Sequence, residues 1–296
     1  MKVFVTGATG FIGTAIVQEL INAGHQVLGL ARSEASAQKL TDAGAEVHHG
    51  DLEDIESLRS GAAAADGVIH VGFVHDFSRL QEICRIDKTA IETIGDVLAG
   101  SNRPLIVASG TALVSPGQIA TEDILPPVSP GWPRASEQTA DGVAAKSVRA
   151  SAIRLSPSVH GFDDKHGFVP ILVNIAREKG ISAYIGDGAN RWNAVHRLDA
   201  AHLFRLALEN EAPAARYHAS AEEAITVKSI AEAIGKELNL PVVSITPEAA
   251  AEHFGWFAHM AAIDCPASSD WTQQALNWKP TGPALLKDIA NGIYTK

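Results

Sequence analysis

The chain opens with a short apolar segment, a turn that contains three glycines, and a stretch with helical periodicity. Residues Lys2 to Thr6 predict a buried strand, and Gly7, Gly10 and Gly13 follow it where a helix is predicted from Phe11 to Ala23. In such a turn the first glycine permits the sharp bend, the second lets a pyrophosphate approach the backbone, and the third lets the helix pack on the strand. The helix N-terminus then offers N–H groups and a positive dipole end to phosphates. The opening therefore predicts a dinucleotide site. The spacing is GxxGxxG rather than GxGxxG, and a turn needed only for packing is the alternative.

Short apolar segments continue to alternate with amphipathic stretches along the chain. Strands separated by helices pair in parallel through right-handed crossovers, so the pattern predicts an α/β fold with a doubly wound parallel sheet of the Rossmann type. The further predicted strands are Gln26–Ala31, Glu46–His49, Gly67–Val71, Leu105–Ser109 and Ser151–Leu155. The further predicted helices are Glu34–Ala43, a helix capped by Asp199 that runs to Leu208, Thr226–Leu238, and Thr246–Met260 with Pro247 at its start. Five prolines predict an irregular loop over Ser115–Pro133.

Charge and composition narrow the classes of partner. The formal net charge is -10, from 24 Lys and Arg against 34 Asp and Glu, which argues against nucleic acid or an anionic membrane as the main partner. No apolar run approaches the roughly 20 residues of a membrane span, and the N-terminus lacks the pattern of a secretory signal, so a cytoplasmic protein is expected. Cys84 and Cys265 are the only cysteines, no HExxH occurs, and His48 and His49 point to opposite faces of a strand. Neither a disulfide framework nor a bound metal is predicted.

Four motifs resemble those of a known family. The sequence TGATGFIG at Thr6–Gly13 resembles the signature of extended and atypical short-chain dehydrogenases/reductases, the NAD(P)-dependent epimerase/dehydratase-like proteins. Asp51 and Leu52 match the position that family members place beside the adenine, Val195–Asp199 resembles their HVDD stretch, and Asn277–Pro280 resembles their GWxP stretch. The resemblance covers essentially the whole chain. It implies a Rossmann domain, a nicotinamide cofactor and a small-molecule substrate.

The end of the second predicted strand bears on which nicotinamide cofactor is bound. NAD-specific sites usually place an acid there for the ribose 2′-hydroxyl, but this chain has Leu30, Ala31, Arg32 and Ser33. A guanidinium suits a 2′-phosphate, so NADP(H) is predicted, with an ordinary solvated arginine as the alternative. The predicted cofactor-binding residues are Gly7, Thr9, Gly10, Phe11, Ile12, Gly13, Arg32, Ser33, Asp51, Leu52, Val71, Gly72, Ser109, Pro157 and Val159.

The Tyr–Lys pair that the family resemblance implies is missing. Family members carry YxxxK on a helix, where the tyrosine exchanges a proton with the substrate and the lysine lowers the tyrosine pKa. This chain has three tyrosines, Tyr184, Tyr217 and Tyr294, and none has a lysine four residues later. By position, Pro133 replaces the tyrosine and Glu137 the lysine. The resemblance is therefore to atypical members, whose usual mechanism does not transfer.

Polar groups near the expected crevice are candidate replacements. Ser109 or Thr111, after the fifth strand, could hydrogen-bond a substrate carbonyl or could simply cap a turn. Arg134 and Glu137 lie one turn apart and could pair. Arg134 could polarise a carbonyl or bind a substrate carboxylate, and Glu137 could be a general acid if burial raised its pKa. A surface ion pair is the alternative for both.

Further candidates follow the sixth and fourth strands. Ser158 and His160 come after the sixth strand, and His160 could be the proton donor because histidine titrates near neutral pH. His166, the pair His75–Asp76, and Trp132 as a lid residue are weaker candidates. For any one histidine here a structural or exposed role is the alternative. The predicted catalytic set is Thr111, Arg134, Glu137, Ser158 and His160.

These observations lead to a functional prediction with open alternatives. The prediction is an NADP(H)-dependent oxidoreductase of atypical short-chain type that moves hydride to or from a small carbonyl, alcohol or imine. An NADP(H)-binding sensor without turnover and a cofactor-recycling epimerase or isomerase are the alternatives. Residues 1–160 are expected to form the NADP-binding core, and residues 161–296 mainly a substrate-covering part that returns segments to the core. A homodimer is left open.

Overall fold

The computed structural model describes residues 1–74, 79–112, 114–126, 133–211 and 215–294. The candidates His75, Asp76 and Trp132 lie outside the described residues. The strands are β1 (Lys2–Thr6), β2 (Gln26–Ala31), β3 (Glu46–His49), β4 (Gly67–His70), β5 (Pro104–Gly110), β6 (Arg149–Leu155), β7 (Ser158–His160), β8 (Ser182–Ile185), β9 (Arg191–His196), β10 (Arg216–Ala219), β11 (Glu222–Thr226) and β12 (Val242–Ile245). The helices are α1 (Phe11–Asn22), α2 (Glu34–Asp42), α3 (Ile55–Ala63), α4 (Leu80–Leu98), α5 (Ser136–Ala144), α6 (Phe168–Lys179), α7 (Arg197–Glu209), α8 (Val227–Leu238), α9 (Ala250–Phe254), α10 (Ala258–Ala262), α11 (Asp270–Leu276) and α12 (Leu285–Ala290).

Within the described ranges, seven strands form one sheet in the order β10-β6-β5-β4-β1-β2-β3. The pairs β1–β2, β1–β4, β2–β3 and β4–β5 are parallel. Apart from the edge strand β3, which reads EVHH, these strands are mostly apolar because helices cover both faces of such a sheet. The strand order reverses beside β1, and ligands of open α/β sheets bind outside the carboxyl ends of the strands at such a point. The predicted doubly wound Rossmann fold is confirmed.

The six predicted strands and the first two helices are found within two residues of their predicted bounds. Two predictions in the second half of the chain are wrong. Asp199 does not cap α7, which begins at Arg197, and its carboxylate instead accepts the N–H groups of Thr281 and Gly282 at 3.0 and 2.8 Å. The single helix predicted over Thr246–Met260 is broken into short α-helical and 3₁₀ segments, because Gly255 takes a φ of +57° that an α-helix does not allow.

The chain divides into two compact units. Unit 1 comprises Met1–Ser109, Val128–Arg154 and Ala200–Tyr217, and unit 2 comprises Gly110–Pro127, Leu155–Asp199 and His218–Lys296. The apolar core of unit 1 is built on β1, β2, β4, β5 and β6 with α3, α4 and α5. In unit 2 the sheets β11-β9-β7 and β12-β8 pack with α6, α8 and α12 around Trp192 and Phe257. The chain passes between the units several times, so no single boundary separates them.

No helix within the described part of the chain is long and apolar enough to cross a membrane.

Candidate functional site

The glycine-rich turn connects β1 to α1. Gly7 has a φ of +67°, and a Cβ there would lie 2.7 Å from the backbone of Gly72, while a Cβ on Gly13 would lie 2.0 Å from the carbonyl oxygen of Gly7. Packing alone therefore requires glycine at both positions. Gly10 differs, because it is exposed and the nearest atom to its Cβ position is 3.3 Å away. Gly10 is also the N-cap of α1, and no side chain caps that end. An exposed, uncapped helix N-terminus with an accessible backbone fits a pyrophosphate.

The end of β2 presents a charge beside the start of α2. Arg32 is exposed, and its guanidinium has no hydrogen-bond or ion-pair partner in the described ranges. Ser33 is the N-cap of α2, where its Oγ accepts the N–H of Ser36 at 3.2 Å. The hydroxyl that was predicted to assist Arg32 thus already stabilises the helix end. The Arg32 guanidinium therefore lies beside a helix N-terminus that Ser33 caps and whose first turn carries Glu34.

The other predicted cofactor residues of unit 1 follow β3 and β4. Asp51 Oδ1 accepts the N–H of Glu53 at 3.0 Å, and Leu52 packs against the unit 1 core. Val71 and Gly72 continue from β4, and the N–H of Gly72 donates to Thr6 Oγ1 at 3.2 Å. These positions lie at the carboxyl ends of their strands, as the Gly-rich turn does. Thr9, Phe11 and Ile12 belong to the turn and to the first turn of α1.

Glu137 is the centre of a buried ion cluster in unit 1. Its carboxylate accepts hydrogen bonds from Arg154 Nε and Nη2 at 3.0 and 2.8 Å, from Arg216 Nε at 3.2 Å and from Ser109 Oγ at 2.7 Å. Burial raises the pKa of Glu137, but the hydrogen bonds and charge of Arg154, with those of Ser109 and Arg216, outweigh burial and lower it. The expected pairing of Glu137 with Arg134 is therefore wrong, and the raised pKa on which a general-acid role depended is not found.

Arg134 precedes α5 rather than lying on it. Its Nε donates to Ser136 Oγ and its Nη2 to the carbonyl oxygen of Ala108 at the end of β5, both at 2.9 Å. The guanidinium also lies 4.3 Å from the ring centroid of Phe73, which follows β4. The side chain is half-buried, and its three other N–H donors have no partner in the described part of the chain. Arg134 thus presents fixed, open donors at the carboxyl edge of the sheet.

A second buried group in unit 1 is absent from the sequence-based candidates. His70 bridges Thr6 and Asp87, and Asp87 also accepts a hydrogen bond from Ser136. Asp87 lies on α4 among Ile83, Ile86 and Ile91. A charged residue on an apolar helical face was the signal that could have found it.

Three predicted catalytic residues lie in unit 2. Thr111 is buried, and its Oγ1 donates to Asn193 Oδ1 at 3.1 Å. His160 is buried on β7, with Nδ1 2.7 Å from Asp288 Oδ2. Burial lowers the pKa of His160 even though Asp288 opposes that shift. The Oγ of Ser158 and the Nε2 of His160 have no hydrogen-bond partner in the described ranges.

Other unit 2 candidates lie near β7. Pro157 and Val159 are half-buried, and His166 is exposed in the Phe162–Gly167 connection. In the residues that the structure describes, no group of three or more His, Cys, Asp or Glu side chains could hold a metal ion.

Comparison with known proteins places the chain in a family. The model of the NAD dependent epimerase/dehydratase family matches residues 3–219. The chain belongs to this family. Membership supports an enzyme of the NAD(P)-dependent oxidoreductase or epimerase type with a nicotinamide cofactor in the Rossmann site.

The similar proteins differ in what their names state. A Schizosaccharomyces pombe protein described as uncharacterized is 52% identical over 99% of this chain and 100% of its own length. A Dictyostelium discoideum sterol-4-alpha-carboxylate 3-dehydrogenase (decarboxylating) is 30% identical over 70% of this chain and 67% of its own. The crystal structure of DesIV, a dTDP-glucose 4,6-dehydratase from Streptomyces venezuelae with NAD bound, has a TM-score of 0.78 at 17% identity, covering 99% of this chain and 96% of that one. This last likeness concerns the fold alone.

Proposed function

We propose that the chain is an NADP(H)-dependent oxidoreductase that transfers hydride between nicotinamide and a small carbonyl compound, alcohol or imine. The observation that carries this proposal is the Arg134 guanidinium, which is fixed near the missing Tyr–Lys pair and has three N–H donors without a partner among the described residues. Open donors at this edge of the sheet can stabilise negative charge on a substrate oxygen without giving up a proton.

The cofactor supplies or accepts the hydride when it is bound. The turn at Gly7, Gly10 and Gly13 and the N-terminus of α1 hold its pyrophosphate. The exposed guanidinium of Arg32, for which the structure shows no competing carboxylate partner in the described ranges, binds a 2′-phosphate. The turn fits either nicotinamide dinucleotide, and Arg32 favours NADP(H).

The remaining polar groups of unit 1 either orient the substrate or stabilise the charge that develops on it. Arg134 polarises the carbonyl and stabilises its developing oxyanion. Glu137 stays ionised and accepts the hydroxyl hydrogen of Ser109. The Ser109 oxygen can then only accept a hydrogen bond from a ligand. Solvent supplies the proton to the product oxygen, because His160 is buried and its pKa is lowered.

Binding titrations of NADPH and NADH, followed by nicotinamide fluorescence, test the cofactor assignment. We expect wild-type protein to prefer NADPH, and Arg32→Ala to weaken NADPH binding roughly 10-fold or more with NADH unchanged, as for a lost charged hydrogen bond. Arg59→Ala removes an exposed arginine of α3 and is the matched control. Equal binding of both nucleotides would overturn the NADP preference, and no binding of either would overturn the proposal.

A substrate panel with NADPH tests the reaction. Butanal, butanone and pyruvate represent neutral aldehydes, neutral ketones and 2-oxo acids, and NADPH oxidation is read by absorbance. We expect turnover with at least one class and its loss in Arg134→Gln. Binding without turnover would support the sensor alternative, and nucleotide that survives purification would support the epimerase alternative.

A further inference from the structure

A chain of buried hydrogen bonds runs through unit 1 from the glycine-rich turn. The N–H of Gly72, which packs on Gly7, donates to Thr6 Oγ1 at 3.2 Å. Thr6 Oγ1 lies 2.8 Å from His70 Nδ1, and His70 Nε2 lies 3.3 Å from Asp87 Oδ1. Thr6, His70 and Asp87 are 0%, 1% and 2% exposed, so solvent does not compete for these bonds.

The same chain continues from Asp87 to Arg134. Ser136 Oγ donates to Asp87 Oδ2 at 2.6 Å, and Arg134 Nε donates to Ser136 Oγ at 2.9 Å. Ser136 is also buried. The only other hydrogen bond of Arg134 within the described ranges goes to the carbonyl oxygen of Ala108. Ser136 therefore supplies one of the two hydrogen bonds that orient the guanidinium.

Asp87 determines the direction of the hydrogen bonds that Ser136 and His70 make to it. Burial raises the pKa of Asp87, but hydrogen bonds and charge from His70, Arg134 and Ser136 outweigh burial and lower it, so it accepts on both oxygens. The single hydroxyl hydrogen of Ser136 goes to Asp87, which leaves its oxygen to accept from Arg134. His70 Nε2 faces the Asp87 acceptor and donates to it, so in the neutral ring Nδ1 accepts the hydroxyl hydrogen of Thr6.

We propose that Asp87 is a positioning residue that holds the Arg134 guanidinium through Ser136 and couples its orientation to the glycine-rich turn through His70 and Thr6. The effect on turnover rests on the proposed function, whereas the direction of the hydrogen bonds does not.

The isosteric change Asp87→Asn isolates this role, because an amide replaces one acceptor by a donor. If the amide nitrogen faces Ser136, the serine oxygen meets two donors and its hydrogen has no acceptor there. If the nitrogen faces His70, the ring must carry its hydrogen on Nδ1 and donate to Thr6 Oγ1, whose own hydrogen then loses its acceptor. Either arrangement reverses one bond of the relay, and both remove the carboxylate charge that acts on Arg134.

A double-mutant cycle measures whether Asp87 acts through Arg134. The assay is NADPH oxidation with the fastest of butanal, butanone and pyruvate. We expect Asp87→Asn to lower kcat roughly 10- to 100-fold, the effect of a misplaced catalytic group, with a smaller change in KM for NADPH. Adding it to Arg134→Gln should cause little further loss. Multiplicative losses in the double variant, or an unchanged kcat in Asp87→Asn, would overturn the proposal.

Two further variants separate positioning from folding. Asp96→Asn changes an exposed acid on the same helix, and should retain wild-type kcat. Ser136→Ala keeps the His70–Asp87 contact and removes only the link to Arg134, so it should lose kcat like Asp87→Asn and be non-additive with Arg134→Gln. A wild-type rate in Ser136→Ala would contradict the relay even if Asp87→Asn does not fold.

Nitrogen-15 NMR of the histidine rings tests the relay without any substrate. In the wild-type protein, the ring assigned through His70→Gln should carry its hydrogen on Nε2. A hydrogen on Nδ1 would overturn the relay. If wild-type protein oxidises no NADPH with the three carbonyl compounds, the proposed function fails, and the NMR result still decides the hydrogen-bond direction.

Discussion

Replacing Glu137 by Gln should destabilise unit 1, because Glu137 neutralises a fully buried cation. The side chain of Arg154 is 0% exposed and that of Glu137 is 4% exposed, and two of the four hydrogen bonds described for Glu137 come from Arg154. Glutamine removes the negative charge and places its NH₂ group against an arginine N–H, where two donors face each other. Removing one partner of a buried pair costs ~3–5 kcal/mol. We expect about 3 kcal/mol, the lower end of that range, because Arg216 is 23% exposed and can be hydrated.

Thermal unfolding followed by circular dichroism provides the assay. A loss of that size should lower Tm by roughly 6–12 °C for a unit of this kind. Asp141→Asn is the matched control, because it also removes a carboxylate partner of Arg216 but is 53% exposed, and it should cost below about 1 kcal/mol. Glu137→Leu combined with Arg154→Met should restore much of the loss, since the buried charge disappears with its partner.

The difference in unfolding free energy between wild type and Glu137→Gln should depend on pH in a definite direction. The folded-state pKa of Glu137 is lowered, so its contribution is present above the ordinary value of 4.5 and is lost as the pH falls through the folded pKa. The difference in unfolding free energy between wild type and Glu137→Gln should therefore become smaller below pH 4.5. A loss below about 1 kcal/mol at pH 7, or a difference that grows in acid, would refute the assignment of Glu137 as the neutralising partner of Arg154.

Two other substitutions test the turn and a buried acid. Gly13→Ala should cost about 1–3 kcal/mol of stability because its Cβ would lie 2.0 Å from the Gly7 carbonyl oxygen, whereas Gly10→Ala should keep Tm and weaken NADPH binding; equal Tm values for the two variants would contradict this. Burial raises the pKa of Asp164 to about 6, so wild type should lose stability relative to Asp164→Asn as the pH rises from 3.8 to about 6. At 1.36 kcal/mol per pKa unit the loss is about 3 kcal/mol at most, and a difference that stays constant over this range in urea titrations would disprove it.

The first half of the fold could be predicted because its signals are local. Of strands β1 to β6, all but the edge strand β3 are mostly apolar runs, several of them closed by glycine or polar residues, and the helices between them keep one apolar face. The second half departs where one residue overrides the pattern. Gly255 interrupts an otherwise continuous helical pattern, and the Asp199 carboxylate is captured by backbone N–H groups more than 80 positions later. Gly255 is a local signal against a continuous helix, whereas the hydrogen bonds of Asp199 have no local signature.

In the candidate site, too, features built from consecutive residues could be located from the sequence, and contacts between distant residues could not. The glycine-rich turn between β1 and α1 could be located because strand, turn and helix are consecutive in the chain, whereas the cofactor role of Arg32 stays a prediction. The partners of Glu137 could not be located, because Arg154 and Arg216 lie 17 and 79 positions away on β6 and β10. A signal for the first was present, since Arg154 interrupts an apolar strand and buried charges are almost always paired. The i,i+3 spacing of Arg134 and Glu137 does not make them helical neighbours, because α5 begins only at Ser136.

The residues at the position of the missing pair change the kind of catalysis that unit 1 can support. A tyrosine–lysine pair works by moving a proton, but Pro133 has no ionisable side chain and Glu137 is compensated by Arg154 and Arg216. Arg134, which lies beside them, keeps its positive charge at any pH that the protein tolerates. A charge that does not titrate can contribute to catalysis only through its position relative to the charge that develops on the substrate. In the function that we propose, the orientation that Ser136 and the Ala108 carbonyl give the guanidinium takes the place of a tuned pKa, and the role that we propose for Asp87 is to set that orientation.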